Sequence, residues 1–242
     1  VTLASGGAPD YTYIWQKATN KTGPYSDISG ATDPLTLSPA QMGGNLTQTT
    51  YFRRKVTNDC GTTYSDTVTI TIYDDLVPGS IQDNQSICYN TAPSTLTSVS
   101  LPTGGSSSYN YQWESSLNGI TGWANVVGGT GATTFEYTPG VLTTDHYFRR
   151  VVNDICGTAY SNVIKITVYD NLLAGSIGIN QTVCYGTKPA VFTSVTPASG
   201  GNTSDYTYRW EYSEDNGVTW NPIPGSNSAS YTYNINLTTD TY

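Results

Sequence analysis

Hydrophobic and polar residues alternate along this chain in short runs. Tyr11 to Trp15 reads YTYIW, Tyr109 to Trp113 reads YNYQW, and Tyr206 to Trp210 reads YTYRW. Successive side chains of a strand point to opposite faces, so the tyrosines and the tryptophan of each run share one face. Runs of this kind, rich in Val, Ile, Thr and Tyr, recur between clusters of Gly, Pro, Asn and Ser. Helical periodicity is absent, which predicts an all-β chain. In the middle of the sequence the pattern predicts strands near 80–89, 95–101, 109–116, 123–127, 134–138, 147–153 and 159–169. A set of this size makes a two-sheet sandwich, and Trp15, Trp113 and Trp210 are its expected core residues, each able to bury about 200 Å².

The pattern is repeated. Tyr51–Asn90 and Tyr147–Gly186 align without a gap and share 22 of 40 residues, at a spacing of 96. A unit of that length is the size of one immunoglobulin-like sandwich with its own core. The chain is therefore expected to hold three tandem immunoglobulin-like Greek-key sandwiches, at 1–75, 76–171 and 172–242, strung into an extended rod. By alignment of the copies Val1 falls inside a strand. The first copy is expected to lack its opening strand and the third its last two, as in a window of a longer array.

Two features of the repeat concern how modules are built and joined. LTQTTY and LTTDHY lead into Tyr51 and Tyr147, and LTTDTY ends at Tyr242. A Leu five residues before a Tyr at a strand start predicts a tyrosine corner, in which the phenol bonds backbone a few residues upstream. The connectors, Tyr73-Asp74-Asp75-Leu76-Val77-Pro78 and Tyr169-Asp170-Asn171-Leu172-Leu173-Ala174, are short, apolar and alike. Flexible linkers are Gly/Ser-rich, so Leu76 and Leu172 are expected to be buried between modules and the joints to be stiff.

Charge and composition narrow the function class. A net charge of -8, from 18 acidic and 10 basic residues, argues against a nucleic-acid partner, which requires clustered Lys and Arg. No stretch of 18 apolar residues suggests insertion of this segment into a membrane. Four cysteines at fixed places in the repeat fit an oxidising, extracellular setting. Two pairings stand open. Cys88 with Cys156 would close a loop inside one module, leaving Cys60 and Cys184 to partners outside the segment. Cys60 with Cys88 and Cys156 with Cys184 would cross the joints. The in-module scheme is preferred, since the chain is expected to enter a sandwich at the pole where its final turn lies; sequence alone does not fix connectivity. No two cysteines lie close enough in sequence to suggest zinc.

Nothing in the chain makes a catalytic constellation, and the chain is read as no enzyme. His146, the sole histidine, is replaced by Thr50 and Thr241 in the other copies, so it reads as a strand-edge residue. Glu214 and Asp215 belong to a hairpin turn with Asn216 and Gly217. Of the paired arginines, Arg53-Arg54 and Arg149-Arg150, one of each faces out and the other serves structure, bonding carbonyls or the connector acids Asp74, Asp75 and Asp170. Those acids, with Asp83, are also weak calcium candidates: they recur in part as Asp170, Asn171 and Ile179, a set losing carboxylates where calcium needs six to eight oxygens. No other cofactor is expected. Tyr25, Trp123 and Trp220 occupy one short strand in the three copies; they read as core or edge aromatics, or, if exposed in line, as glycan contacts.

Taken together, QTVCYGTKPAVFTSVTPASGG, YTYRWEYSEDNGVTW, LTTDHYFRRVVNDICGTAYSN and VIKITVYD resemble the tandem immunoglobulin-like or PKD-like repeats of giant surface adhesins of Bacteroidota, including the SprB-type gliding-motility adhesins. The resemblance covers all three copies. It implies type IX secretion, outer-membrane attachment through regions outside this segment, and service as a cell-surface filament. It also implies pairing of Cys88 with Cys156. The partners implied are neighbouring repeats, surface polysaccharide or cell-envelope anchoring proteins. The reading that follows is a stalk or filament segment of an adhesin for surface attachment or gliding. A glycan-binding array and a spacer of a secreted hydrolase are the alternatives.

Overall fold

The computed structural model describes residues 3–6 and 10–242, so the strand expected at Val1 lies outside the described residues. The chain folds into immunoglobulin-like β-sandwich structure, with a single short helical turn among the described residues. Its contacts form two compact units. The first is Val1–Gly79 with Leu101–Asn110 and Val152–Ala159; the second is Ser80–Ser100, Tyr111–Val151 and Tyr160–Tyr242.

In the first unit, β1 (Thr12–Ala18) pairs antiparallel with β2 (Ser26–Asp27) and along its whole length with β3 (Thr50–Asn58). Between β2 and β3 lies α1 (Pro39–Met42), one turn nucleated by a capping box in which Ser38 and Gln41 satisfy each other's backbone. β3 turns back through Cys60 into β4 (Gly61–Tyr64), and β5 (Val68–Ile70) pairs with the opposite end of β3, from Thr50 to Phe52. The core holds Ile28, Ala31 and Phe52, with half-buried Trp15, Leu37, Met42, Leu46 and Ile70 against them. The alternation seen in the sequence is read out directly: Phe52, Arg54 and Val56 of β3 point inward.

The strand predicted over 80–89 is two strands in two sheets. β6 (Ser80–Ile81) pairs antiparallel with β8 (Ser98–Ser100), whereas β7 (Gln85–Cys88) runs parallel to the last strand of the repeat. Side-chain amides hold this crossing between sheets. Asn162 Oδ1 accepts from Ile81 N at 2.8 Å while its Nδ2 donates to Ile81 O at 3.1 Å, and Asn84 Oδ1 accepts from Lys165 N at 2.7 Å. β9 (Asn110–Ser116), β10 (Ala124–Asn125) and β11 (His146–Asp154) follow. The strand predicted over 159–169 is also divided, into β12 (Gly157–Tyr160) and β13 (Ile164–Tyr169), both on β11. The sheet order is β10-β9-β11-β13-β7. Over 134–138 the predicted strand is reduced to two isolated bridges, Tyr137 to Leu96 and Thr138 to Thr130.

Ile81, Leu96, Trp113, Val126, Tyr137, Phe148, Ile164 and Ile166 form one core. Trp113 is fully enclosed, and its Nε1 finds the carbonyl of Thr134 at 3.0 Å. The last part of the chain carries β14 (Ser176–Ile177), β15 (Ser194–Thr196), β16 (Glu211–Tyr212) and β17 (Asn221–Pro222). There Trp210 stacks between Phe192, at 5.8 Å, and Tyr231, at 6.0 Å, which repeats the place of Trp113 among Leu96 and Tyr137.

Candidate functional site

The feature that recurs with the same geometry is the seating of each connector on a glycine pair. Gly105 N donates to Asp74 O at 2.8 Å, and Val77 and Thr103 exchange both backbone bonds at 2.9 and 3.0 Å. One repeat later, Gly201 N donates to Asp170 O at 2.7 Å, and Leu173 and Ser199 exchange bonds at 2.8 and 2.9 Å. The glycines are required. Gly104 and Gly200 have φ of +70° and +71°, and a Cβ there would overlap the carbonyl oxygens of Asp75 and Asn171. Each of the two seats is closed by a tyrosine: Tyr109 donates its hydroxyl to Gly104 O at 2.8 Å and Tyr206 to Gly200 O; Tyr11 donates in the same way to Gly6 O.

The first seat is also tied to a hairpin. Asp154 Oδ2 accepts from Ser106 N at 2.6 Å, and its Oδ1 accepts from Cys156 N at 2.7 Å and Gly157 N at 3.2 Å. These bonds, the one from Ser106 foremost, hold the carboxyl below the usual aspartate range. Partial desolvation and the neighbouring carboxylate push the Cys156 thiol up.

This arrangement corrects several expectations. Leu172 is 61% exposed and Leu76 half-buried, so the connector is fixed by backbone hydrogen bonds rather than by sealed leucines. The upstream-bonding tyrosine is the one that opens the third strand. Among the described residues the hydroxyls of Tyr51 and Tyr147 make no such bond, because the Tyr147 ring is laid over Gly119 and toward Lys165 Nζ, 5.8 Å from its centre.

All four cysteines, Cys60, Cys88, Cys156 and Cys184, are free and exposed, and the expected approach of Cys88 to Cys156 is not made. The register explains why. Cys88 ends β7 beside Tyr169, the last residue of β13, while β13 pairs with the His146 end of β11 and Cys156 lies past the other end. A nine-residue strand spans about 30 Å, and a disulfide needs Cα atoms within about 7 Å. The chain enters by β6 at the hairpin end, but the cysteine comes seven residues later, after β7 has run to the far end. In the first unit Cys60 lies at the end of β3 opposite to β5.

The arginine pairs divide as alternation dictates. Arg53 lies 3.9 Å from the ring centres of both Tyr25 and Tyr64 and bonds Gln16 Oε1 at 2.8 Å. Arg149 lies 4.3 Å from Trp123 and 4.2 Å from Tyr160, with both Nε and Nη2 on Glu114 at 2.7 Å. Tyr25 and Trp123 thus each carry a guanidinium on a ring face, whereas Trp220 is half exposed. Arg150 is wholly buried, donating to Phe135 O at 2.9 Å and to Ser98 Oγ, with the Phe135 ring at 4.7 Å. Burial pulls its guanidinium below the ordinary range. Arg54 repeats this with Pro34 O and the Tyr13 ring. The inner arginines therefore bond core carbonyls, and the connector acids are not their partners in these bonds.

The remaining candidates make local contacts. Asp215 takes hydrogen bonds from the Thr219 hydroxyl and backbone and from Ser213, which bring its carboxyl down to about 2 and cap the turn at Asn216 and Gly217. His146 is half-buried, stacked 6.1 Å from Phe148 with Nδ1 2.9 Å from Thr144 O. The carbonyls of Asp74 and Asp170 are engaged by Gly105 and Gly201, and among the described residues no three His, Cys, Asp or Glu side chains gather as a metal site. Among the described residues no helix is long and apolar enough to cross a membrane. The seats themselves went unread in the sequence, although Gly-Gly ahead of each YxY run, at Gly6-Gly7, Gly104-Gly105 and Gly200-Gly201, was the signal.

Comparison with known proteins places these repeats. A family model described as a domain of unknown function (DUF8696) matches residues 1–74, 77–170 and 173–242. No curated protein matches. Among solved structures, a segment of titin is 14% identical, covering 98% of this chain and 81% of that one, with a TM-score of 0.42. Immunoglobulin domains 1 to 4 of Sidekick-1 are 13% identical over 94% of this chain and 59% of theirs, with a TM-score of 0.31. A 1.5-MDa bacterial ice-binding adhesin is 10% identical over 97% of this chain and 77% of that one, with a TM-score of 0.41. These are likenesses of fold alone.

Proposed function

We propose, from the premise that the chain belongs to the DUF8696 domain family, matching it three times in succession, that it is a load-bearing stalk segment of a repetitive cell-surface adhesin. The observation that carries this reading is the seat built twice: Asp74 O on Gly105 N and Asp170 O on Gly201 N, each with a two-bond bridge beside it. A linker meant only to tether would leave these groups to water. Here each connector is consumed as backbone ladder, so adding a repeat adds a joint of defined geometry. Reach then comes from repeat number, and resistance to bending from the seats. The three module spans 1–75, 76–171 and 172–242 belong to this reading.

An extracellular place accords with the acidic, hydroxyl-rich composition and with cysteines fixed in the repeat. The finer assignment, a SprB-type adhesin of Bacteroidota exported by type IX secretion and attached at the outer membrane for adhesion or gliding, rests on the resemblance of the YFRR, CGTAYSN and CYG segments. Calcium at Asp74, Asp75 or Asp170 is not needed by it. The partners are neighbouring repeats first, then a surface polysaccharide or an envelope anchor. The test is to label intact cells with antibody raised against this segment and to delete the repeats in the same strain. Surface labelling together with lost attachment is expected; labelling only after lysis would contradict the proposal.

A further inference from the structure

Four exposed free thiols recurring at fixed places in a repeat ask for a partner, and the geometry supplies one. In the second unit Cys88 stands beside Tyr169, and the next residue, Asp170, gives its carbonyl to Gly201 N. Cys88 also lines an open cavity of about 980 Å³ together with Asn171, Gly201 and Asn202. The first strand's cysteine is thus at the seat of the following repeat.

In the first unit the corresponding seat shows what else sits there. Gly105 holds the connector, and Ser106 N is bound by Asp154, the same carboxylate that holds Cys156 N. A hairpin cysteine is therefore at the seat of its own repeat. The two seats are equivalent, Gly105 in one and Gly201 in the other, and between them they are bordered by a first-strand cysteine from the preceding repeat and a hairpin cysteine from the seat's own repeat.

We propose that a disulfide staples each joint, linking the first-strand cysteine of one repeat to the hairpin cysteine of the next. By this rule Cys88 pairs with the hairpin cysteine of the repeat that carries Gly201, and Cys156 with the first-strand cysteine of the repeat before its own. Two S–H bonds break and one S–S bond forms. The two protons and two electrons pass to a disulfide oxidant of the thiol-exchange class, which leaves as its dithiol. The staple is independent of what the array adheres to.

The test is non-reducing peptide mapping of the full-length protein, after alkylation of free thiols. The flanks DCGTT, ICGTA, SICYN and TVCYG identify each copy. Expected are linked peptides joining SICYN to the hairpin of the repeat after it, and loss of that species in a Cys88→Ser variant with the other joints unchanged. Alkylated Cys88, a link from Cys88 to Cys156, or a link from Cys60 to Cys88 would each overturn the proposal.

Discussion

Gly105 donates its backbone N–H to the carbonyl oxygen of Asp74 at 2.8 Å, and the neighbouring Gly104 can do its part only without a Cβ. Gly104→Ala would place a methyl group on the Asp75 carbonyl at a φ of +70°. Left-handed backbone costs an L-residue about 1–2 kcal/mol before any clash. Gly104→Ala and Gly200→Ala are therefore expected to lower the unfolding midpoint and to speed proteolytic nicking at the connector, whereas Gly30→Ala, with open space around it, costs only the backbone strain. Equal losses at all three would show that the seat adds nothing.

Arg150 is the second test. Its charge is fully enclosed and held by Phe135 O, Ser98 and aromatic rings. Arg150→Ala removes bonds to groups that stay buried and leaves a cavity, a loss of about 3 kcal/mol or more by chemical denaturation. Arg149→Ala, at the surface, is expected to cost about 1 kcal/mol through its stacking on Trp123 and Tyr160. Arg150→Lys would not restore stability, since an ammonium cannot reproduce the planar fork.

The tyrosines separate the two candidate staples. Tyr109→Phe removes a made hydrogen bond to Gly104 O and is expected to cost about 1 kcal/mol. Tyr147→Phe, whose hydroxyl makes no upstream backbone bond, is expected to leave the midpoint nearly unmoved. The reverse order would restore the tyrosine corner at Tyr147.

Acid acts on the seat through Asp154. Its carboxyl is held below the ordinary value first by the Ser106 N–H, so its contribution is present above the unfolded value of about 3.9 and is lost as pH falls through the folded value. Asp145, lowered chiefly by its bond from Lys165, loses its contribution in the same window. Lys165, raised chiefly by Asp145, loses its own as pH rises beyond the ordinary lysine range. Stability should therefore fall below about pH 4, and Asp154→Asn should flatten part of that fall. An unaltered pH profile in Asp154→Asn would count against the role given to this carboxylate.

The sandwich was legible in the sequence because the YxYxW alternation places Trp113 and its counterparts on one face, and nothing tertiary competes with that signal. The turn at Asp215 was legible for the same reason: Asn216-Gly217 can adopt positive φ cheaply. What stayed hidden depends on partners far apart in sequence. The break between β6 and β7 is set by Asn162, 81 residues from Ile81. The approach of Cys88 to Cys156 is not made because β7 carries Cys88 away from the hairpin end, a matter of strand direction that spacing does not encode. The connector leucines misled because an apolar linker of the same length at both joins reads as a buried one, whereas its backbone does the holding.

The central claim is that each connector is held by a hydrogen-bonded seat, and amide hydrogen exchange of this chain tests it most directly. The Gly105 and Gly201 amides, which donate to Asp74 O and Asp170 O, should be protected like those of the core strands. Exchange of those two glycine amides as fast as in open loops would contradict it.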